Sequence, residues 1–287
     1  MPEATVVIAT RDRASLLRDC LGGLARQSAA GRFEVIVVDN GSSDETPRVI
    51  HEAGARGLFV ADPNRAKARN AGIAQAAGRI VIFCDDDTLP PADFVQAHLH
   101  AHGDALDRAV TGPIVNVPDA QHLPPADSRH YSRQFFCTCN ASAPKAALEA
   151  VGGFDERYDL YGWEDTDLGV RLRANGMCHV FAWDAYIYHL KPDSMTTLER
   201  RIALTREKAA MAARFVRKNP SWRVKLATGA YAANFVRASI VNARPLRRMY
   251  ERLSEGSPTL LRRLAREALI DAHYVDALRT ALRRPDA

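Results

Sequence analysis

Three consecutive carboxylates, Asp85, Asp86 and Asp87, follow directly on the apolar run Arg79-Ile-Val-Ile-Phe-Cys84. Adjacent anions repel one another unless a cation or hydrogen-bond donors hold them. Hard oxygen ligands of this kind suit Mg2+ or Mn2+, and such an ion commonly also holds a substrate phosphate. A solvated acidic turn has the same sequence, so both readings stand at this point. Asp39 ends a second apolar run, Glu34-Val-Ile-Val-Val-Asp39. Its carboxylate can accept from a base N–H or a ribose hydroxyl, and it can equally form a local turn. Arg65, Lys67 and Arg69 cluster where the start of a helix would also favour anions, or else form a solvated helix face. Further on, Glu164, Asp165 and Asp167 open a helical stretch. First-turn carboxylates are usual there for dipole reasons alone.

The elements that must position these groups can be read from hydrophobic periodicity. The run from Arg79 to Cys84 is short, β-branched and continuously apolar, as expected of a strand buried on both faces of a parallel sheet. Thr88-Leu-Pro-Pro91 should stop it, leaving the carboxylates at the carboxyl end of the strand, where open α/β sheets bind ligands. Strands are expected at 5–9, 34–39 and 57–61, with helices at 13–28, 45 to about 55 and 65–77. This alternation predicts a mostly parallel sheet with right-handed crossovers. A strand over 109–117, a Pro-rich loop, a strand-like run over 134–140 and a helix over 144–151 ending at Gly152-Gly153 come next. Ala185-Tyr-Ile-Tyr188 reads as a strand, and a lone histidine such as His189 after it is ordinarily structural. From Thr197 the pattern is helical, over 198–217, 222–241 and 260–282, with breaks at Asn219-Pro220, Arg244-Pro245 and Ser257-Pro258.

The chain has 287 residues, 47% hydrophobic and 25% charged, as in ordinary soluble proteins with room for a sizeable core. The five cysteines are an odd number, and three lie in apolar stretches, which suits a reducing compartment. Cys137-Thr-Cys139 lacks the second pair that a zinc site would need. No signal peptide and no uninterrupted apolar run of spanning length is visible, so a cytoplasmic protein is expected, with peripheral contact at the inner face of a membrane as an extension. The net charge of +5 hides a split: residues 1–189 carry a net −7 and residues 190–287 a net +12. A basic tail of this kind prefers anionic partners. A solvated basic helical bundle and a surface for anionic lipid head groups or a lipid-linked acceptor both fit it. No aromatic–basic interleaving or module supports nucleic-acid binding.

Taken together, several residue groups resemble glycosyltransferase family 2, the inverting enzymes of GT-A fold. Val6-Val-Ile-Ala-Thr-Arg-Asp-Arg13 is similar to that family's opening strand and loop, and Val37-Val-Asp-Asn-Gly-Ser-Ser-Asp44 to its second-strand signature. Asn64-Arg-Ala-Lys-Ala-Arg-Asn-Ala-Gly72 resembles its nucleotide-side helix, and Asp85-Asp-Asp87 its Asp-x-Asp motif. The stretch from Asn140 to Glu156, with Gly-Gly-Phe-Asp, and Gly162-Trp-Glu-Asp165 also match, the latter as in galactosyltransferase-like members. The resemblance implies a GT-A domain over 1–195, with a nucleotide-binding half to about 117 and an acceptor half to 195, followed by a basic helical region over 196–287. Thr10, Asp39 and Arg69 would face the nucleotide, with Arg11, Arg65 and Asp86 on the same side. Asp85 would face the ribose, and Asp87 with His189 would hold Mn2+ or Mg2+. Asp165 would be the general base, Glu164 would bind the acceptor hydroxyl, and Trp163 would lie under a sugar ring. Asn140 would touch donor sugar or acceptor, unless it is a structural turn residue. Lys191 and the following Pro192-Asp-Ser-Met195 would form a lid over the diphosphate.

The activity so implied is transfer of a sugar from a nucleotide sugar, a UDP-sugar first, to a hydroxyl of a glycan, lipid-linked or small-molecule acceptor. Two other classes use similar parts. A nucleotidyltransferase of sugar phosphates would present a Gly-rich basic loop after the first strand, where Thr10-Arg-Asp-Arg13 has no glycine. A non-catalytic sugar-nucleotide-binding protein would not need Glu164-Asp165 together with His189. The same loop lacks G-x-G-x-x-G, which argues against a dinucleotide-binding dehydrogenase.

Overall fold

The computed structural model describes residues 1–191, 197–256 and 259–284, and the chain divides into two compact units. The first comprises residues 1–159 and 164–193, the second residues 160–163 and 194–287.

The first unit begins with β1 (Ala4–Thr10), α1 (Ala14–Leu24), β2 (Phe33–Asp39), α2 (Thr46–Glu52), β3 (Arg56–Phe59), α3 (Arg65–Gln75) and β4 (Ile80–Cys84). It continues through β5 (Thr88–Leu89), α4 (Phe94–His102), β6 (Arg108–Thr111), β7 (Ile114–Val117), β8 (Asn140–Pro144), α5 (Lys145–Ala150), α6 (Glu164–Ala174), β9 (Cys178–Phe181) and β10 (Ile187–Leu190). Seven strands form one sheet in the order β3-β2-β1-β4-β8-β6-β9, parallel except that β8 runs against both its neighbours. β4 is continuously apolar because both faces of the sheet are covered. Ile80 and Ile82 pack with Val6, Ile8, Leu17 and Leu21 on one face, whereas Val81 and Phe83 pack with Val7, Phe154, Leu168 and Leu172 on the other. A Cβ at Gly72 would strike the Val7 side chain, so this glycine allows α3 to lie close on β1. The register Thr10↔Asp39 brings β1 and β2 to a level end, and β4 beside β1 delivers Asp85 to the same edge.

Three expectations are corrected here. The single strand over 109–117 is two strands, β6 and β7, in different sheets. Gly112 lies at the break, and a Cβ there would collide with the Ala185 carbonyl oxygen. The run 134–140 forms no strand until Asn140. Thr88 and Leu89 do more than end β4: they form β5, which pairs with β10 in a second sheet of order β5-β10-β7.

In the second unit, α7 (Leu198–Lys218), α8 (Trp222–Thr228), α9 (Ala232–Val241), α10 (Arg244–Gly256) and α11 (Thr259–Arg283) follow one another. The helix expected over 222–241 is divided at Gly229, whose φ of 73° ends α8. The break expected at Arg244-Pro245 falls between α9 and α10, with Pro245 in the first turn of α10, where a proline forfeits no intrahelical bond. Among the described residues, no helix is long and apolar enough to cross a membrane.

Candidate active site

The carboxylate turn after β4 is gripped by cations and donors from three directions. Arg69, on α3 and only 6% exposed, places Nη2 3.3 Å from Asp85 Oδ1 and Nη1 3.0 Å from Glu164 Oε1. A guanidinium is well suited to join two carboxylates through its fixed fork of donors. One side chain thereby ties the end of β4 to the first turn of α6. Arg13, in the loop after β1, donates from Nη1 to Asp86 Oδ1 at 2.8 Å and to Asp87 Oδ2 at 2.9 Å. The Thr10 hydroxyl completes the shell of Asp86, donating to Oδ2 at 2.8 Å.

Asp86 is therefore consumed. It is 4% exposed, both oxygens accept from the protein, and Thr10 is 2% exposed. Burial pushes the Asp86 carboxyl up, against the pull of Arg13 and Thr10. Thr10 and Asp86, both expected on the nucleotide side, brace the turn in this way. Arg69, likewise expected to face the nucleotide, is buried between two carboxylates. Asp39 is buried and its Oδ1 accepts from the Ser42 N–H at 2.8 Å, so the local-turn alternative is realised through one oxygen. Arg11 is exposed beside Asp12, and Arg65 is exposed at the first position of α3. Asn64 caps that helix by accepting from the Lys67 N–H at 3.0 Å.

Asp87 differs from Asp86. Its Oδ1 is buried and accepts no hydrogen bond, although His189 Nε2 stands 3.2 Å away. His189 is held from its other nitrogen: Nδ1 lies 3.1 Å from Asn116 Oδ1. In the neutral ring, that contact makes Nδ1 the donor and turns the Nε2 lone pair toward the carboxylate. A carboxylate oxygen and an imidazole nitrogen this close together would suit a divalent ion as two of its ligands. Burial works to raise the Asp87 carboxyl, but His189 and Arg13 outweigh it and hold it below the ordinary value. Among the described residues, no group of three or more His, Cys, Asp or Glu side chains could hold a metal. Asp87 and His189 thus fit a metal only as a pair that leaves positions for other ligands. The pairing arises in the small sheet, where β10 sets His189 opposite Thr88 on one side and Asn116 on the other. The Leu190 N–H to Asp87 carbonyl bond of 2.8 Å fastens it.

At the start of α6, Glu164 Oε2 is buried and accepts no hydrogen bond. Asp165 Oδ1 accepts from the Thr166 N–H at 2.6 Å, and its Oδ2 accepts from no described donor. Burial first, and the Glu164 carboxylate second, push Asp165 up from 3.8 to about 6, while Arg69 pulls the other way. Asp167 is committed to Arg171 at 2.9 Å. Trp163, with φ at 76°, belongs to the second unit. There it stacks on Phe215 with ring centroids 5.3 Å apart and donates from Nε1 to the Lys208 carbonyl.

Asn140, for which a sugar contact and a structural role were both open, is held within the protein. It is 0% exposed, and its amide meets His98 through Oδ1 and donates to the Pro113 and Ala185 carbonyls through Nδ2. Lys191 is exposed at the end of β10, and the proposed lid over 192–196 lies outside the described residues. Two contributors had no assigned role in the sequence reading. Arg13 was visible only as a motif residue, and Asn116 only as a polar residue in the alternation of β7.

Comparison with known proteins adds a family. The model described as "Glycosyl transferase family 2" matches residues 5–154, and that described as "N-terminal domain of galactosyltransferase" matches residues 122–193. A validoxylamine A glucosyltransferase of Streptomyces hygroscopicus subsp. jinggangensis is 33% identical over 222 residues, covering 62% of this chain and 53% of the relative. The uncharacterized glycosyltransferase YfnE of Bacillus subtilis is 26% identical over 240 residues, covering 61% of each. The chain thus spans roughly half to three-fifths of the length of these curated relatives. Among solved structures, a mannosyltransferase of Pyrobaculum calidifontis in complex with GDP-Man and Mn2+ superposes with a TM-score of 0.66 at 20% identity, covering 98% of this chain and 87% of that one. TarS 1-349 of S. aureus in complex with UDP-GlcNAc gives 0.60 at 17% identity, covering 98% and 90%.

Proposed function

The chain belongs to glycosyl transferase family 2, and on that premise we propose that it transfers a sugar, with inversion, from a nucleotide sugar to an acceptor hydroxyl. Its fold is the GT-A arrangement of the solved glycosyltransferases it resembles. The observation that carries the proposal is the Arg69 bridge, with contacts of 3.3 and 3.0 Å. It brings the acidic start of α6 to the carboxylate turn, so that a base and a diphosphate site share one sheet edge.

In this reading, Glu164 Oε2, the buried oxygen that lacks a donor, accepts from a neighbouring hydroxyl of the acceptor, and the attacking hydroxyl is left to Asp165. Asp165 takes the hydroxyl proton as the oxygen attacks the anomeric carbon opposite the diphosphate. A carboxyl raised to about 6 is ionised at neutral pH yet basic enough for this transfer. Arg69 positions Glu164 and Asp85 together, and Asp85 accepts from the ribose. Asp39 keeps one carboxylate oxygen for the base. Arg13 locks the turn so that Asp87 Oδ1 keeps its direction. Asp87 and His189 would hold Mn2+ or Mg2+, which supplies charge neutralisation for the departing diphosphate. A UDP-sugar is the first donor to test. The neighbours in complex with GDP-Man and with UDP-GlcNAc call for both nucleotide classes in the panel.

The test is a donor panel incubated with Mn2+, scored by release of free nucleoside diphosphate and repeated in the Asp165→Asn variant. Release from one donor, lost in the variant, supports the assignment. Release that is indifferent to the variant rejects Asp165 as base, and no release from any donor rejects the donor classes named.

A further inference from the structure

The helical unit contains a cavity of about 560 Å3, within the range of small-molecule sites, whose wall is basic. α7 and α11 run parallel along it, as the successive contacts Arg201–Glu267, Arg206–His273 and Arg217–Ala281 establish. On α7, Arg206, Ala210, Arg214 and Arg217 recur at spacings of three and four, which place them on one helix face. α11 faces them with His273 and Asp276, and α10 adds Arg247. Five arginines line the cavity against one carboxylate, Asp276.

Some of this charge has a structural use. Arg217 donates to the carbonyls of Ala281 and Arg284 at the end of α11, where a cation suits the helix dipole. Arg247 pairs with Asp276 at 3.0 Å and donates to His273. Arg206 and Arg214 are different. Arg206 reaches only His273, at 3.2 Å, and Arg214, half-buried, meets no hydrogen-bond acceptor or carboxylate among the described residues. His273 can give them no counter-charge, since an imidazole is neutral or cationic, and burial with the two neighbouring arginines pushes its pKa down and favours the neutral ring. Arginines of a merely solvated face would fan outward from a convex surface. Here they converge on a concavity with small apolar residues, Ala210 and Ala277, between them.

We infer that this cavity binds a phosphate-bearing group, a diphosphate or phosphodiester, through Arg206, Arg214 and Arg247. The planar guanidinium fork matches phosphate oxygens in pairs, which a carboxylate-poor concavity of arginines otherwise leaves unmet. The inference stands on the helical unit alone and does not depend on the transferase reading. The phosphate could belong to a lipid head group or to a soluble molecule.

The experiment titrates inorganic pyrophosphate into the full-length chain by calorimetry, in EDTA so that no divalent ion contributes. The expected result is one saturable site, weakened at least about tenfold in the Arg206→Gln/Arg214→Gln double variant, a loss of about 1.4 kcal/mol. The lysine double variant should retain part of the affinity, because it keeps charge without the fork. Asp87→Asn should bind pyrophosphate as the wild type does, and the glutamine variant should bind UDP with Mn2+ as the wild type does. Those two controls separate this site from the carboxylate turn. An absence of saturable binding, an unchanged affinity in the glutamine variant, or loss in Asp87→Asn overturns the inference. Parallel co-sedimentation with phosphatidylcholine vesicles, with and without phosphatidylglycerol, identifies the source. Arginine-dependent capture by the anionic vesicles assigns a lipid phosphate, and pyrophosphate binding without capture assigns a soluble one.

Discussion

Asp165→Asn should weaken catalysis and strengthen the fold at the same time. The ionised carboxyl is penalised in the native state by burial and by Glu164, which displaces its pKa from 3.8 to about 6. At about 1.36 kcal/mol per pH unit, this corresponds to a ceiling of about 3 kcal/mol of destabilisation above pH 6. Below about pH 4 the carboxyl is protonated in both folded and unfolded states, and the penalty vanishes. The neutral amide removes the penalty but inherits the hydrogen bond from Thr166, and the residue keeps some solvent contact, so part of the ceiling is recovered. A rise in Tm on the order of a few degrees at pH 7.5 is expected, shrinking toward zero near pH 4. Transfer should fall about 10²–10⁴-fold, the usual contribution of a positioned base, with donor binding nearly unchanged. In the wild type, transfer should rise with pH through about 6 as Asp165 loses its proton, and this rise should be absent from the variant's residual rate. Scanning calorimetry at two pH values, with steady-state kinetics and UDP titration, measures all four quantities. A variant that is less stable at pH 7.5, or that transfers at the wild-type rate, would refute the reasoning.

Activity should vanish in EDTA and return with Mn2+; activity indifferent to the chelator counts against the Asp87–His189 pair. Asn116→Ala should weaken Mn2+ binding about 10–100-fold by freeing the His189 ring, as read by electron paramagnetic resonance. Arg69→Met leaves Glu164 and Asp85 without their shared cation in a buried setting, and should cost about 3–5 kcal/mol in urea unfolding. Stability should also decline as pH falls below 6.5, because the buried pair His98 and His102 is pushed by burial down to about 4 and about 3. Both rings protonate more readily in the unfolded chain, so the decline runs from about 6.5 toward 4 and is followed by pH-dependent melting.

Much of the sheet was legible from the chain itself. The unbroken run from Ile80 to Cys84 announced a strand covered on both faces, and the alternation of such runs with amphipathic stretches announced the parallel order from β3 to β4. The position of the Asp triad at the carboxyl end of that strand followed from the same local rules. Strand length was less legible: the break at Gly112 depends on the approach of Ala185, which no local pattern records. The buried network of His98, Ser142 and Asn140 was hidden for the same reason, and it engages a side chain for which the family resemblance implied a sugar contact.

The sequence alone determined which residues carry charge and at which element ends they stand, because periodicity, caps and turn chemistry act over a few residues. Only the tertiary structure decided which of those charges are already spent. Asp85, Asp86 and Asp87 are chemically identical, yet Arg69, Thr10 with Arg13, and His189 divide them into three different environments. That division depends on strand register and on side chains brought from distant parts of the chain. Pairing of this kind is settled by the packing of the whole sheet, since a shift of one residue would turn His189 to the opposite face.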